Sequence, residues 1–471
     1  MRYSPLERRR RRVSRWALYG SLVLVAGVLV ILLGAIRRAL PRSLSQPWSH
    51  VDYQKLRDVQ LLQRYVRINT SPSGNEVAGA EFLAGIIRKA GIPATVERVG
   101  PHSANVWAIL EGRNPKALVL HSHIDVEAIR RPEKWHYPPF GGVIHGPWIF
   151  GRGAFDMKSV AIAQLLAFLN LKEQGEPLDR SVIFLATAGE ESGSDFGARW
   201  WIREHPELVK RSWALLTEGG GIEGRNIDNV KYLGVSFAQR RYVDVHICSR
   251  DRRRLTQLER TLTWVGRPLE PLELTPEVRE FLAAYAPTRD RPDLRNWLAE
   301  PAEITHDLDA FIHLPPFLQS MFRDEALPYS LKQTDNGWRL DVKVHLLPGS
   351  SFAPARRRLL PDWLLFGLPW NVFDDGSADH GSPLDHPAYL AVVETLQEAY
   401  PGVVVGPYFL PWTATDARFF RAAGIPSYGF SPFMILTSDT MTVHGPNERI
   451  ALPGFHKGVG IYRRLVERIT L

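Results

Sequence analysis

Residues 181–193 read Ser-Val-Ile-Phe-Leu-Ala-Thr-Ala-Gly-Glu-Glu-Ser-Gly. The apolar part, Ser181–Thr187, is typical of a strand that is covered on both faces of a sheet, because it does not alternate between polar and apolar residues. Two adjacent carboxylates, Glu190 and Glu191, follow it beside glycines. Buried carboxylates raise each other's pKa unless a cation or a proton lies between them. The pair therefore indicates either a metal ligand next to a general base or a solvated loop.

Similar apolar runs occur on both sides of this strand, and helical patterns separate some of them. The predicted strands are Asn105–Leu110, Ala117–Leu120, Trp213–Leu216, Val403–Phe409 and Ser427–Phe430, and the predicted helices are 53–66, Val77–Ala90, Val160–Leu171, Ala388–Tyr400 and Ala417–Ala423. Apolar strands that alternate with helices predict an α/β fold whose sheet is covered on both faces.

A different pattern interrupts this fold near residue 235. Tyr242–Ile247 and Trp338–Leu346 alternate between apolar and polar residues, which predicts half-exposed antiparallel strands. A helical pattern lies at Leu255–Val265, and the Pro-rich stretch 268–330 fits no element clearly. We therefore predict one α/β domain in two parts, 55–235 and 366–471, interrupted by an α+β insertion at 236–365.

The N-terminus has the pattern of a membrane anchor. Trp16–Ile36 is a run of 21 uncharged residues, preceded by seven arginines and followed by three. About 20 apolar residues span a bilayer as a helix, and excess positive charge favours the cytoplasmic side. We expect a basic cytoplasmic tail (1–15), a single transmembrane helix (16–36), a tether (37–54) and an extracytoplasmic body. A cleaved signal peptide and a buried helix of a soluble protein are the alternatives.

The composition excludes several classes of protein. The chain of 471 residues is 45% hydrophobic and 23% charged, as globular proteins are. A single cysteine, Cys248, excludes a disulfide scaffold and a cysteine-rich metal site. Of the net charge of +8, the first 42 residues contribute ten arginines and one acid, which leaves 48 basic and 49 acidic side chains elsewhere. Since the body is nearly neutral, we expect no binding to nucleic acid.

Four further motifs place histidines or carboxylates at junctions of strands and loops. They are His121-Ser-His123-Ile-Asp125, Gly151-Arg-Gly-Ala-Phe-Asp156-Met-Lys158, Thr217-Glu218-Gly219 and His444-Gly-Pro-Asn-Glu448. Each alone has a structural explanation, such as an acid at a helix N-terminus. Together with the Glu190–Glu191 pair, they bring two histidines and several carboxylates to the strand ends, where α/β sheets bind ligands. This donor set suits two zinc ions or a similar divalent pair.

The order of these motifs resembles the M20 family of metallopeptidases, over residues of about 55 to 471. Smaller matches are Trp135 with Pro139-Phe140, Leu347-Pro-Gly349, Thr415-Asp-Ala-Arg418, Gly424-Ile-Pro426 and Tyr428-Gly-Phe430. Within the family, the chain is most similar to the membrane-associated branch of carboxypeptidase S-type enzymes and N-acyl-amino-acid hydrolases.

The resemblance implies a site with two zinc ions, for which cobalt or manganese are substitutes. Asp125 would orient a histidine ligand, and Glu190 would be the general base that takes a proton from the attacking water and passes it to the leaving amine. The implied metal ligands are Asp156 as the bridge between the ions, His123 and Glu218 on one ion, and Glu191 and His444 on the other.

The resemblance implies that the α/β domain (55–235 and 366–471) is the catalytic domain and that the insertion at 236–365 is the family's lid domain. The sequence of this predicted lid departs from the family pattern. The strand Tyr242–Ile247 lacks the Gly-His pair whose histidine stabilises the oxyanion, commonly across a homodimer, and His246 does not match that motif. His345 stands where an arginine usually precedes Leu-Pro-Gly. A replacement cation from the basic turn is one interpretation, and a solvated turn is the other; its arginines are Arg250, Arg252, Arg253 and Arg254.

The sequence thus predicts a membrane-anchored, zinc-dependent hydrolase that cleaves an amide bond of a small peptide or an N-acyl amino acid. The alternative is a catalytically impaired metal-binding protein with a binding or scaffolding role, and hydrolysis of a non-amide bond is a third hypothesis. The presence of Glu190 favours the enzyme, because a protein that only binds metal does not need a base beside its ligands. We also expect contact with a lipid bilayer and a homodimer.

Overall fold

The computed structural model describes residues 51–224, 230–269, 271–374, 376–377, 380–435 and 437–471. The predicted tail, the predicted transmembrane helix and most of the predicted tether lie outside the described residues. Across the part of the chain that is described, no helix has both the length and the apolar character needed to cross a membrane. Tyr53–Leu471 forms one compact unit.

Sixteen strands are formed within the described residues. In chain order, β1 to β16 are Ala94–Arg98, Ala104–Leu110, Asn114–His123, Val143–His145, Trp148–Phe150, Arg180–Thr187, Ser212–Thr217, Gly221–Gly224, Val230–Gln239, Arg241–Ser249, Glu325–Thr334, Gly337–Leu346, Trp370–Asp374, Val404–Leu410, Ser427–Gly429 and Arg449–Ala451.

The α-helices of the same residues are α1 to α17. They are Arg57–Val66, Glu76–Lys89, Lys158–Gln174, Ala198–Glu204, Pro206–Arg211, Arg252–Val265, Pro276–Tyr285, Pro292–Ala299, Pro301–Ile304, Leu308–His313, Pro316–Gln319, Phe352–Leu359, Asp362–Leu365, Pro387–Ala399, Ala417–Ala422, Thr437–Thr440 and Leu452–Thr470. The strands and helices predicted for the catalytic domain are confirmed, with ends that differ by a few residues.

The main sheet has nine strands and confirms the α/β fold. Its order is β1-β2-β6-β3-β7-β15-β9-β14, and β8 pairs with β9. The strands β6, β3, β7 and β15 run parallel to one another. On β3, Leu118 and Leu120 belong to the hydrophobic core on one face, whereas Ala117 and Val119 belong to the core on the other face. Burial on both faces explains why these strands do not alternate in sequence.

A second, four-stranded antiparallel sheet has the order β11-β12-β10-β13. It has a hydrophobic core of its own, to which Val243, Leu340 and Val344 contribute with residues of α6 and α12. This sheet contains the two alternating stretches, as expected for the predicted lid. Its last strand, β13, lies at Trp370–Asp374, after residue 365. The domain limits at 236 and 365 stay predictions.

The alternating strand β12 is less exposed than its pattern predicts. Leu340, Val342, Val344 and Leu346 are fully buried as expected, but the polar residues Asp341 and His345 are also buried. Asp341 is held by ion pairs with Arg339 at 2.6 Å and Lys332 at 2.9 Å. Paired charges can be buried, so the polar face of this strand is only partly exposed to solvent.

The stretch 268–330, which the sequence left unassigned, contains the five short helices α7 to α11 and the start of β11. Four of these helices begin with proline, which is favoured in the first helical turn. Their apolar side chains, among them Val278, Phe281 and Leu298, join the core of the nine-stranded sheet. These helices therefore pack against the catalytic α/β layer.

Candidate metal centre

Three adjacent parallel strands bring most of the predicted site residues together. His123 is the last residue of β3, Glu218 directly follows β7, and Glu190 and Glu191 follow β6 after a short turn. Since β3 lies between β6 and β7 and runs parallel to both, the carboxyl ends of all three strands meet at one edge of the sheet.

Asp156 reaches this edge from a glycine-rich turn that precedes α3. The turn is held by Glu448, which is completely buried and whose Oε1 accepts backbone N–H groups of Gly153 at 2.9 Å, Phe155 at 3.1 Å and Asp156 at 3.2 Å. The other carboxylate oxygen accepts a hydrogen bond of 2.5 Å from Arg152. Glu448 thus fixes the backbone of Asp156, a role that the sequence alone did not reveal.

The predicted ligands form two groups that share Asp156. In the first, Nε2 of His123 lies 3.1 Å from Oδ1 of Asp156 and 3.6 Å from an oxygen of Glu218. In the second, Nε2 of His444 lies 3.1 Å from Oδ2 of Asp156 and 3.2 Å from an oxygen of Glu191. Within each group, one ligand atom from every residue lies within 4.8 Å of the others. The two oxygens of Asp156 therefore face different groups.

The electrostatics of the site fit a bound cation. Burial raises the pKa of Glu218 to about 8, and the nearby Asp156 adds to this rise. Burial also raises the pKa of Glu190 well above its usual range, and the charge of Glu218 contributes. Carboxylates in such an environment repel one another unless a cation lies between them. Histidine nitrogens and carboxylate oxygens at this spacing are ligands that zinc prefers.

Glu190 belongs to neither ligand group, although it is adjacent to Glu191. Glu190 lines a cavity together with Asp156, Glu191, Glu218 and His444, and Nη1 of Arg418 lies 3.8 Å from its Oε1. The side chain is thus close to the ligands without being one of them, which is the position that a general base requires.

Asp125 supports both the histidine ligand and the two glutamates. Its backbone carbonyl lies 3.0 Å from Nδ1 of His123, whereas its nearest carboxylate oxygen to that nitrogen is at 3.6 Å. The carboxylate instead accepts the backbone N–H groups of Glu190 at 3.0 Å and Glu191 at 2.9 Å. Asp125 therefore contacts His123 mainly through its backbone carbonyl, whereas its carboxylate fixes the turn that carries Glu190 and Glu191. The predicted role of Asp125 in orienting His123 stays a prediction.

His121, two residues before the ligand histidine, lies outside the site. It is buried, and its ring nitrogens lie 3.0 Å from Oγ1 of Thr217 and 2.9 Å from Oγ1 of Thr187. These two threonines end β7 and β6. Because His121 itself belongs to β3, these contacts link the ends of β3, β6 and β7, next to the predicted ligands.

Four of the five predicted ligands line a cavity of about 1280 Å³, namely Asp156, Glu191, Glu218 and His444. The four-stranded sheet also lines it, through Tyr242, Tyr329 and Lys343. The arginines of the turn at 250–254 are absent from this lining among the described residues. Within one chain the turn therefore does not reach this cavity, and both interpretations of its arginines stay predictions. His345 lines a neighbouring cavity of about 460 Å³, and His246 lies against Phe373 with 4.9 Å between the ring centres.

Comparisons with known proteins agree with this geometry. A profile of the peptidase family M20/M25/M40 matches residues 119–468. Aminoacylase-1A of Rattus norvegicus is 25% identical over 433 residues, which are 88% of this chain and 95% of the rat protein. An M20 family metallo-carboxypeptidase from Sulfolobus solfataricus has a similar fold, with a TM-score of 0.67, 17% identity, and coverage of 88% of this chain and 99% of that one. Human carnosine dipeptidase 1 gives a TM-score of 0.63 at 15% identity, with coverage of 87% and 96%.

Proposed function

The chain belongs to peptidase family M20/M25/M40 and is a hydrolase, and from this premise we propose that it cleaves an amide bond of a small peptide or an N-acyl amino acid. The main support for the proposal is that Asp156 belongs to both ligand groups. Glu190 lines the cavity beside these groups without belonging to either. The rat relative is an aminoacylase by name, and the human structural relative is a dipeptidase by name, which supports both substrate classes.

Two zinc ions are the proposed cofactors, with cobalt or manganese as substitutes. His123, Asp156 and Glu218 would hold one ion, and Asp156, Glu191 and His444 the other. When bound, such a pair polarises the scissile carbonyl and makes hydroxide available near neutral pH.

Glu190 is the proposed general base and acid. Its carboxylate would accept the proton of the attacking water and deliver it to the nitrogen of the leaving amine, so that the amide is converted to a carboxylic acid and an amine. The burial that raises the pKa of Glu190 also suits a group that must hold a proton between these two steps.

The lining of the cavity favours a substrate that carries an acyl chain or another apolar group. Apolar and aromatic side chains line much of it, namely Phe155, Val160, Phe317, Trp412, Phe433 and Ile435. Lys343 is a cation on the same wall, contributed by the four-stranded sheet. A substrate with an apolar group and a carboxylate fits this combination of charges and surfaces.

We also propose that the chain acts at a membrane. The uncharged run Trp16–Ile36 and the arginines before it support a single-pass membrane protein with a cytoplasmic N-terminus and an extracytoplasmic catalytic body. The homodimer stays a prediction from the family resemblance.

A substrate panel tests the proposed activity. The full chain in detergent is incubated with N-acyl amino acids and dipeptides, with zinc and after metal removal by a chelator. We expect release of free amino acid from at least one class, dependent on metal. A chain that holds two ions per molecule and hydrolyses none of these amides would favour the binding or scaffolding alternative.

A further inference from the structure

Within the part of the chain that the structure describes, the lysine and arginine side chains that line the cavity of the metal centre are Arg199, Lys343 and Arg418. Arg199 pairs with the exposed Asp195, and its side chain is itself 37% exposed. Lys343 belongs to the four-stranded sheet, and its side chain is 39% exposed. Arg418 differs from both, because it is buried and its Nη1 lies 3.8 Å from Oε1 of Glu190. Of these three cations, Arg418 is thus the one next to the proposed general base.

The guanidinium of Arg418 is held by residues of its own helix. Helix α15 begins at Ala417, and Nη1 of Arg418 donates a hydrogen bond of 2.8 Å to the carbonyl of Thr415, two residues before the helix. The guanidinium carbon lies 4.2 Å from the centre of the Phe419 ring. A planar guanidinium that contacts both a carbonyl and an aromatic face has few other orientations. Its charge and its N–H groups therefore have a fixed position in the cavity.

Asp416 connects this helix to the loop that carries Glu190. Its carboxylate is buried and accepts hydrogen bonds from the hydroxyl of Ser194 and, at 3.4 Å, from the hydroxyl of Thr187. Thr187 ends β6, and Ser194 belongs to the same loop as Glu190. One carboxylate thus joins the start of α15 to both sides of the turn with the proposed base. Arg418 and Glu190 are held in a defined relative position, as electrostatic stabilisation of a transition state requires.

The position of Glu190 locates the reacting atoms. A general base must lie within about 2.6–3.2 Å of the water whose proton it accepts. When the oxygen of this water bonds to the carbonyl carbon of the amide, the electron pair of the C=O bond moves to the carbonyl oxygen, which becomes negatively charged. This oxyanion is two bonds away from the attacking oxygen. It therefore forms within reach of a guanidinium that lies beside Glu190 and lines the same cavity.

We propose that Arg418 is a further catalytic residue, whose guanidinium donates a hydrogen bond to this oxyanion. The proton of the water passes to Glu190 and then to the leaving nitrogen, and the oxyanion returns its electron pair to the carbon when the C–N bond breaks, so Arg418 itself is unchanged. The inference rests on the proposed function, because the oxyanion forms only if an amide is hydrolysed. It supplies the donor that the predicted lid lacks, and it gives a role to the Thr415-Asp-Ala-Arg418 motif.

A guanidinium beside the base could also act in two other ways. It could bind a carboxylate of the substrate, in which case its removal would raise KM and leave kcat unchanged. It could also act only through its charge, which lowers the pKa of Glu190. Removal of Arg418 would then shift the acid limb of the pH profile of kcat to higher pH, and kcat would recover fully once Glu190 is ionised. An oxyanion donor instead lowers kcat at every pH.

Steady-state kinetics of the full chain in detergent, with zinc and a substrate from the panel, test this proposal. We expect Arg418→Ala to lower kcat by about 10²–10³-fold at the plateau of the pH profile, with little change in KM. Zinc content should not change, because Arg418 belongs to neither ligand group. Guanidinium chloride at millimolar concentration should restore part of the kcat of Arg418→Ala. Arg418→Lys should also lower kcat, since an ammonium group does not reproduce the planar donor. Arg199→Gln is the matched control and should keep the kcat of the unchanged chain.

Four results would overturn the proposal. Full recovery of kcat at higher pH would assign Arg418 to the ionisation of Glu190, and a rise in KM alone would assign it to substrate binding. An equal loss of kcat in Arg199→Gln would show a general effect of charge in the cavity. Unchanged kcat in the folded Arg418 variants, beside an active unchanged chain, would overturn this inference and leave the proposed function intact. An unchanged chain that hydrolyses no amide of the panel would instead contradict the proposed function, and this inference with it.

Discussion

The backbone N–H of Glu190 donates a hydrogen bond of 3.0 Å to the carboxylate of Asp125. The proposed general base is thus positioned by a residue two places after the ligand His123. Because the other oxygen of Asp125 accepts the N–H of Glu191, one buried carboxylate fixes both the base and a metal ligand. The peptide turn at 189–191 therefore depends on the charge of Asp125, which lies in the loop after a different strand, β3.

The first prediction concerns this contact. The two carboxylate oxygens of Asp125 each accept one N–H, from Glu190 and from Glu191. Asp125→Asn leaves a single oxygen for both groups, so the turn at 189–191 should be held less firmly. Changes of residues that support metal ligands typically cost about 10–100-fold in metal affinity or activity. We expect a loss of that size in kcat or in zinc affinity, measured by turnover and by competition with a chelator. Glu127→Gln is the matched control, since within the part of the chain that the structure describes Glu127 pairs only with the exposed Arg130, at 2.6 Å. An equal loss in both variants would contradict the assignment.

The second prediction concerns the buried ion pair of Arg152 and Glu448. Both side chains are buried, and removal of one partner leaves an uncompensated charge, which typically costs about 3–5 kcal/mol. We expect Glu448→Ala to lower the free energy of unfolding by about that amount, measured by urea denaturation with a chelator present so that lost metal does not contribute. Glu398→Ala breaks an exposed pair with Arg468 and should cost about 0–1 kcal/mol.

The third prediction concerns metal content. Asp156 belongs to both ligand groups, whereas Glu218 belongs to one. We therefore expect elemental analysis to find that Asp156→Ala loses both ions and that Glu218→Ala keeps one. Full retention of one ion in Asp156→Ala would show that this residue does not bridge.

The fourth prediction concerns the N-terminus. All proposed ligands lie after residue 42, and the rest of the chain has 48 basic and 49 acidic side chains. Deletion of residues 1–42 should therefore release a folded, soluble protein with the metal content of the full chain, as judged by fractionation, circular dichroism and elemental analysis. Aggregation of this variant in the presence of zinc would count against the proposed separation of anchor and body.

The strands of the catalytic α/β layer could be predicted because both faces of the sheet are buried. Val182–Ala186 is apolar throughout for this reason, and a run this short beside glycines favours a strand over a helix. The proposed ligands could be singled out because histidine and carboxylate side chains are the residue types that bind zinc. His123 ends a strand, Glu191 lies in the turn after one, and Asp156 lies in the turn before a helix.

Other features left no such pattern. Glu448 accepts hydrogen bonds from backbone N–H groups, which all residues except proline have, so no particular residue type elsewhere in the sequence indicates its role. Helices α8 to α11 have only four to eight residues each, so few apolar positions in each define a face. The longer α7 does have a buried apolar face, formed by Val278, Phe281, Leu282 and Tyr285, and their spacing could have indicated this helix. The burial of Asp341 depends on ion pairs with Arg339 and Lys332, which the alternating pattern of its strand does not reveal.

The most direct test of the proposed mechanism compares two adjacent residues. Glu191 belongs to a ligand group and Glu190 does not, so their amide variants should fail in different ways. Glu190→Gln should keep two zinc ions and lower kcat by about 10²–10⁴-fold, because proton transfer is lost. Glu191→Gln should lose or weaken one ion, because an amide is a poorer ligand than a carboxylate.

Metal content and kcat must therefore be measured on both variants with the same substrate. The mechanism predicts full metal content with little turnover for Glu190→Gln, and a lower metal content for Glu191→Gln. Loss of metal from Glu190→Gln but not from Glu191→Gln would reverse the two roles. A change in kcat of less than about tenfold in both variants would contradict the dizinc hydrolase mechanism for this chain.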